Sequence, residues 1–181
     1  MSVPRPPEVF ATARLSARKP RVDDAPAVFE SYANDPEVTR YLSWRAYERV
    51  EPLKVFLAEI ISHWEKGESH LAWLLCLKGS DRPIGSIGVT FDGGKAMFGY
   101  VFAKKFWGRG FATEALTFLV DWSLAQPGIS RAWAYCDVEH PASVRVMEKS
   151  GMVREGLLHR WHVCPTLGPE LRDCVVCAKV K

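Results

Sequence analysis

The sequence predicts an α+β fold built on a mixed, mostly antiparallel central sheet of about seven strands, and three features of its apolar pattern lead there. Apolar residues recur every three or four positions from Leu53 to Trp64 and again from Ala112 to Leu124, the spacing of amphipathic helices. Between these helices lie three strand-like runs, Leu71 to Leu77, Ile84 to Phe91 and Ala96 to Phe102. Gly79-Ser80-Asp81 and Asp92-Gly93-Gly94 separate the runs with hairpin-type turn residues, so the centre is an antiparallel meander. Beyond the second helix, strand, helix and two long strand patterns follow in turn, an α+β layout around a mixed sheet.

Taken along the chain, Arg14 to Arg18 alternates in polarity and forms a short strand. Asp23 and Asp24 are candidate N-caps for a helix running to about Asn34, with Pro26 tolerated in its first turn and Pro36 enforcing a break. The helix from about Glu51 to Lys66 ends at Gly67, and the helix that begins after Gly110 stops at Pro127-Gly128. Arg131 to Val138 is a strand, Ala142 to Lys149 a helix with Gly151 at its C-terminal cap, and Val153 to Val163 and Leu171 to Val180 are the last two strands. With 181 residues, 48% of them hydrophobic, one compact domain over 1–181 is expected, its proline-rich residues 1–9 forming a flexible lead-in.

A formal charge of +3 is too small and dispersed for a nucleic-acid partner, although Lys104, Lys105 and Arg109 form a local basic cluster suited to one small anion. No apolar run approaches the roughly 20 residues needed to span a bilayer, and the first residues lack the apolar stretch of a secretion signal. Five cysteines, an odd number, fit reduced thiols and a cytoplasmic setting. Cys174-Val-Val-Cys177 has no second Cys or His pair beside it, which favours a core strand over a metal or redox site, and no metal is expected.

The segment from Phe98 to Val120 carries the chemistry. Gly108 and Gly110 remove Cβ atoms where a helix begins, which leaves unpaired backbone N–H groups accessible at the positive end of the helix dipole. Such a terminus suits a phosphate or pyrophosphate. No Gly-Lys-Ser/Thr follows, so it is not a P-loop, and the third glycine and ribose-binding acid of a dinucleotide fingerprint are missing.

The run GYVFAKKFWGRGFATEAL resembles the acetyl-CoA-binding region of the GNAT superfamily, whose pattern is Q/R-x-x-G-x-G/A. Gly110 and Ala112 match its last two fixed places, and Trp107 stands where Gln or Arg is usual. That departure, the segment HPASVRVMEKSGM and the N-terminal TARLSARKPRVDDAPAVFESYANDPEVTRYL are all similar to the RimJ/RimL branch, the ribosomal-protein N-terminal acetyltransferases. The resemblance runs from about Thr12 to Val180.

It implies a GNAT fold with a splayed strand pair at the coenzyme A site, and an N-acetyltransferase that moves an acetyl group from acetyl-CoA to a primary amine by direct attack on the thioester. The cofactor side comprises the turn Trp107, Gly108, Arg109, Gly110, Phe111, Ala112 and Thr113, free backbone groups around Val101, Phe102 and Ala103, and His140, Ser143 and Arg145. His140 replaces the usual Asn, and Met147 replaces the tyrosine that protonates the thiolate in many relatives. Ser143 matches a serine placed near the sulfur in this branch, and its other reading is a helix-capping serine. His162 falls where ribosomal-protein acetyltransferases of this type carry a functional glutamate, and imidazole serves as a base at neutral pH. His159 lies three residues away, on the opposite face of a regular strand. Glu155, next to Gly156, belongs to a bulge or bend.

Arg145 either reaches the 3'-phosphate or joins Lys149 on a solvated helix face. Trp44, Tyr47 and Trp161 either line the acceptor groove or act as hydrophobic cover. The acceptor, a peptide N-terminus or a polyamine, amino acid or antibiotic, is left open, as are the length of the acyl chain and the choice between monomer and homodimer. The terminal strands offer a way to pair across a dimer. Loss of the family Tyr and Asn also admits a coenzyme A-binding sensor without turnover.

Overall fold

The fold is described from a computed structural model over residues 4–181. Among the described residues one sheet holds eight strands: β1 (Val9–Ala11), β2 (Leu15–Arg18), β3 (His70–Leu77), β4 (Pro83–Asp92), β5 (Lys95–Phe102), β6 (Arg131–Asp137), β7 (Val153–Val163) and β8 (Leu171–Val180). Their order across the sheet is β1-β2-β3-β4-β5-β6-β8-β7. The eighth strand, absent from the sequence reading, lies within the proline-rich lead-in expected over residues 1–9 and just beyond it. Residues 1–3 of that lead-in lie outside the described residues. Farther on, Pro6 is buried, the Pro7 carbonyl accepts Trp73 Nε1–H at 2.9 Å, and Val9 opens β1 against Arg18 of β2.

Four α-helices accompany the sheet: α1 (Ala25–Val28), α2 (Glu51–Lys66), α3 (Phe111–Ala125) and α4 (Pro141–Lys149). The single helix expected from Asp23 to Asn34 is a composite. A tight turn over Val22–Asp24 precedes α1, and a wide turn over Phe29–Ala33 follows it, closed by Asn34 N–H on Phe29 O at 3.3 Å. The wide turn brings Tyr32 and Ala33 inward together. Asp24 occupies the position before α1 but makes no side-chain capping bond to it. Its carboxylate accepts Arg21 N–H at 2.7 Å and the Arg18 fork at 2.7 and 2.8 Å, tying the first helical turn to β2. Helix α2 follows its sequence expectation, with Gly67 left-handed (φ 68°) at its C-terminus.

Helices cover both faces. Alternation along β3 sends Leu74 toward the cluster of Val28, Leu53 and Leu57 from α1 and α2. Trp73 points the other way, to Phe10, whose ring stacks on Phe118 of α3 at 4.3 Å. The meander β1 to β5 is antiparallel throughout. Strand β8 pairs with both β6 and β7, so the two terminal strands pair with each other inside the chain, and the sheet edges are β1 and β7.

The feature that positions the site is the contact between β5 and β6. These strands are parallel and joined through α3, but they pair only over Lys95↔Arg131, Ala96↔Ala132 and Met97↔Trp133. Past that point β5 follows β4 to Phe102 and β6 follows β8 to Asp137. A wedge therefore opens between them, the splay that the resemblance implied. Gly85 keeps β5 on its course: a Cβ there would overlap the Val101 carbonyl oxygen and come within 2.9 Å of Phe102 Cδ1. Gly85→Ala is expected to lower stability by roughly 1–3 kcal/mol, the usual cost of overpacking, seen as a fall in denaturant midpoint at unchanged m-value.

Candidate active site

A cleft of about 560 Å³ occupies the wedge and the space beneath α2. Val101, Tyr135, His140, Ser143 and His162 line it, with Trp44 and Tyr47 from the segment after the first helical region. Several candidates named from the sequence are thus brought together. Trp161 is not among the lining residues: it is 48% exposed and stands edge-on to Tyr135 at 6.0 Å. Arg145 is exposed on α4, also outside the lining.

The backbone of β5 differs from the expectation of free groups at Val101, Phe102 and Ala103. Ala103 N–H donates to Ile84 O at 2.9 Å, and the Phe102 carbonyl accepts Trp107 Nε1–H at 2.7 Å. In an antiparallel ladder, alternate residues share a direction, so Val101 points its amide groups toward β4 with Ala103. Those of Tyr100 face the opening, together with the Phe102 N–H. The side chains of Phe102 and Ala103 are buried in the core.

Trp107 therefore acts as a brace, its indole folded back on β5 while the ring remains 45% exposed. After it, Gly108 (φ 70°) and Gly110 (φ 80°) are both left-handed, and Phe111 buries its ring as α3 starts. Ala112 packs against the core and the Thr113 carbonyl accepts Ser150 Oγ–H at 3.4 Å, so both follow α3 inward. Of the local cations, Lys104 pairs with Glu37. Arg109 lies over the rings of Phe106 and Phe111 at 5.7 and 5.2 Å. Sequence reasoning missed Arg14. Its guanidinium donates to the Arg109 carbonyl at 2.9 Å, pairs with Glu114 at 2.7 Å and sits 4.4 Å from the Phe111 ring centre, locking β2 to the turn. A sequence separation of 95 residues left no local signal of that contact.

Across the wedge, α4 presents Ser143, which is 8% exposed and bonded through Oγ to the Tyr100 hydroxyl at 2.7 Å. The same hydroxyl lies 3.2 Å from the Ser143 carbonyl. Burial pushes the Tyr100 phenol well above its usual range, so it stays protonated and able to donate. Tyr100 was also missed: it is one aromatic within a strand pattern, and its partner lies 43 residues on. Met147, at the place of the family tyrosine, is fully buried in the core. Burial likewise pushes the Cys136 thiol up to about 11.

Strand β7 delivers His162 through a distortion. Its pairing jumps from Leu158↔Cys174 to His162↔Arg172, and Arg160 adopts φ 47°, the one positive φ at a non-glycine among the described residues. Asp173 holds this bulge by accepting Arg160 N–H at 2.9 Å and His159 Nδ1–H at 2.8 Å. His159 is thereby kept at the surface, and the rule for a regular strand does not govern it. His162 enters the cleft with Nδ1 at 3.3 Å from the Tyr135 hydroxyl, and burial lowers its pKa below the ordinary 6.5. His140 stacks on Tyr41 at 4.7 Å, and burial lowers its pKa as well. A second bulge, between Arg154 and Gly156, accommodates Glu155, which pairs with Arg131.

Asp137 at the end of β6 is buried with its carboxylate committed. It accepts from both arms of Arg172 and from Glu139 N–H at 2.8 Å, which hold it well below the usual carboxylate range against the opposing effect of burial. Cys174 and Cys177 are both buried in β8. Among the described residues no group of three or more His, Cys, Asp or Glu is arranged to hold a metal ion, and no helix is long and apolar enough to cross a membrane.

The family model for the acetyltransferase (GNAT) domain matches residues 14–153. The uncharacterised N-acetyltransferase p20 of Bacillus licheniformis is 29% identical over 154 residues, which cover 83% of this chain and 85% of that protein. A GNAT-family acetyltransferase from Bacillus anthracis, known from its crystal structure, superposes with a TM-score of 0.80 at 28% identity over 95% of this chain and 98% of that one. RimL, a ribosomal L7/L12 α-N-protein acetyltransferase solved with coenzyme A, has the same fold, with a TM-score of 0.83 at 18% identity over 96% and 98% of the two chains. The matched span runs from the arginine that locks the turn to the strand after α4, and the chain accordingly belongs to the GNAT family of acetyltransferases.

Proposed function

We propose that this protein, acting as one acetyltransferase domain, transfers an acetyl group from acetyl-CoA to a primary amine that attacks the thioester directly. The observation that carries this reading is the wedge between β5 and β6, whose cleft is lined by His162 and by the hydrogen-bonded Ser143 and Tyr100, with the exposed N-terminus of α3 following β5 in the chain. The coenzyme A held by the relative RimL supports the same ligand here.

The amides of the turn and of the first residues of α3, from Gly108 to Thr113, take the pyrophosphate, aided by the helix dipole and the flanking guanidinium groups of Arg14 and Arg109. The pantetheine arm lies along β5, where the Tyr100 N–H faces the opening and donates to the thioester oxygen as charge develops on it. The amine nitrogen forms a bond to the carbonyl carbon, and the carbon–sulfur bond breaks. His162 receives the proton that nitrogen sheds. In the tautomer whose Nδ1–H donates to the Tyr135 oxygen, Nε2 keeps its lone pair for that task. Ser143 stands by the departing sulfur. Tyr100 and Ser143 Oγ share a hydrogen bond in which either hydroxyl can donate, and with the phenol as donor the serine proton turns toward the thiolate. Trp44 and Tyr47 form the acceptor side of the cleft.

Acetyl-CoA is expected to raise the melting temperature, and addition of a suitable primary amine to release free thiol in step with the acetylated product. Absence of any thermal shift or calorimetric binding would contradict the proposal. The kcat/KM profile should fall on its acid side below pH 6.5, because burial depresses the His162 pKa and the base must be neutral. His162→Ala should lose roughly 100-fold in kcat/KM together with that acid limb. If the limb persists unchanged in the variant, the base lies elsewhere.

Tyr100→Phe is expected to lower kcat roughly tenfold, equivalent to about 1.4 kcal/mol, with little change in KM for acetyl-CoA. Combined with Ser143→Ala it should cost no more than Ser143→Ala alone, since the phenol acts as a positioning group through that serine. Additive losses in the double variant would contradict this coupling.

A further inference from the structure

We infer that the acceptor is a small primary amine with one flat apolar body and no second charge, seated over a hollow that two glycines leave in the sheet. This rests on the acetyltransferase reading and deepens it to a substrate class.

The hollow follows from side-chain size. Ala72 of β3 is the register partner of Gly88 of β4, and Gly88 is the partner of Gly99 of β5, so three neighbouring strands present almost no side chain at one level. All three residues line the cleft. Glycine is not required by backbone conformation at either position, since neither has a positive φ. A Cβ on Gly99 would meet nothing within 4 Å, and one on Gly88 would meet only ordinary contacts, the nearest being Leu71 O at 3.4 Å. The missing side chains therefore leave open volume beneath α2, whose Phe56, Leu57 and Ile60 form the roof.

Aromatic surfaces enclose the sides. Trp44 and Tyr47 lie 5.5 Å apart at an interplanar angle of 44°, and Tyr41 is stacked on His140. Such walls favour a planar apolar group through offset or edge contacts.

Charge narrows the class further. The lining contains no lysine or arginine, and its sole carboxylate is Asp137, already saturated by Arg172 and Glu139 N–H. The three lining histidines, His70, His140 and His162, are each held toward the neutral form by burial. A second ammonium, as in a polyamine or an aminoglycoside, would enter without a counter-charge, and so would the carboxylate of an amino acid. A single amine that reacts as the neutral base carries no such penalty.

The test compares initial rates, with acetyl-CoA saturating, for phenethylamine and tryptamine against spermidine, kanamycin, phenylalanine and a peptide with an N-terminal phenylalanine. The expected result is a kcat/KM for the aromatic monoamines at least about tenfold above the others. Gly99→Val, a substitution a strand favours, should fill the hollow and lower the kcat/KM ratio of phenethylamine to methylamine about tenfold, while acetyl-CoA still raises the melting temperature. Preference for a polycation, an amino acid or the peptide would overturn the inference, as would an unchanged ratio in a Gly99→Val protein that still binds acetyl-CoA. If wild-type protein fails to bind acetyl-CoA, the underlying acetyltransferase reading falls first. Should Gly99→Val not fold, the wild-type comparison decides by itself.

Discussion

Strand β5 stays paired with β4 out to Phe102 and β6 stays paired with β8 out to Asp137, while the parallel contact between β5 and β6 ends at Met97 and Trp133. The cost falls on the backbone groups facing the opening, which lose strand partners and would be unfavourable if buried unpaired. The protein satisfies one of them with the Trp107 indole and leaves those of Tyr100 beside the cleft. A binding surface for an extended polar ligand thus arises from an unfinished sheet, and the α3 crossover that joins the two strands places its positive end beside it.

The elements around the wedge are tied to it over long sequence distances. Arg14 connects the second strand to the turn before α3, and the Tyr100–Ser143 pair connects β5 to α4. On the far wall the positive φ of Arg160 is held in place by Asp173 and brings His162 inward. Backbone conformations of this kind are unfavourable in isolation and persist where the surroundings over-determine them. The buried Asp137–Arg172 pair, by contrast, has its valences filled and serves to join β6, the turn before α4 and β8. A carboxylate in a cleft is therefore not automatically a reactive one.

Much of the layout was legible in local pattern. The boundaries of α2, β7 and β8 agree with their periodicity and flanking turns, because an amphipathic helix with a glycine cap and a β-branched run are each decided within a few residues. The lead-in and the first helical region diverged. Val9–Ala11 is too short to show alternation and becomes a strand only because β2 offers an edge, while the turn at Phe29–Ala33 widens to suit packing against the sheet. In the site, the Gly108-x-Gly110 turn was readable since left-handed backbone calls for glycine. The roles of Val101, Phe102 and Ala103 were not, because which amides face a gap depends on register with β4. Trp161 lies outside the cleft lining, exposed within the stretch of β7 where pairing is irregular between Leu158 and His162.

By itself the sequence determined the fold class, the order of elements, the glycine-rich helix entry and, through resemblance over most of its length, the acetyltransferase family. Those properties reside in short-range periodicity, in residues with special backbone freedom and in motif spacing. Only the tertiary structure decided that Tyr100 meets Ser143, that Arg14 locks the turn, that Asp137 is already paired, and that Gly88 and Gly99 lie side by side in a cleft with aromatic walls. The physical reason is the same in each case: strand register and crossover connections bring together groups tens of residues apart, and neither register nor crossover leaves a local mark in the chain.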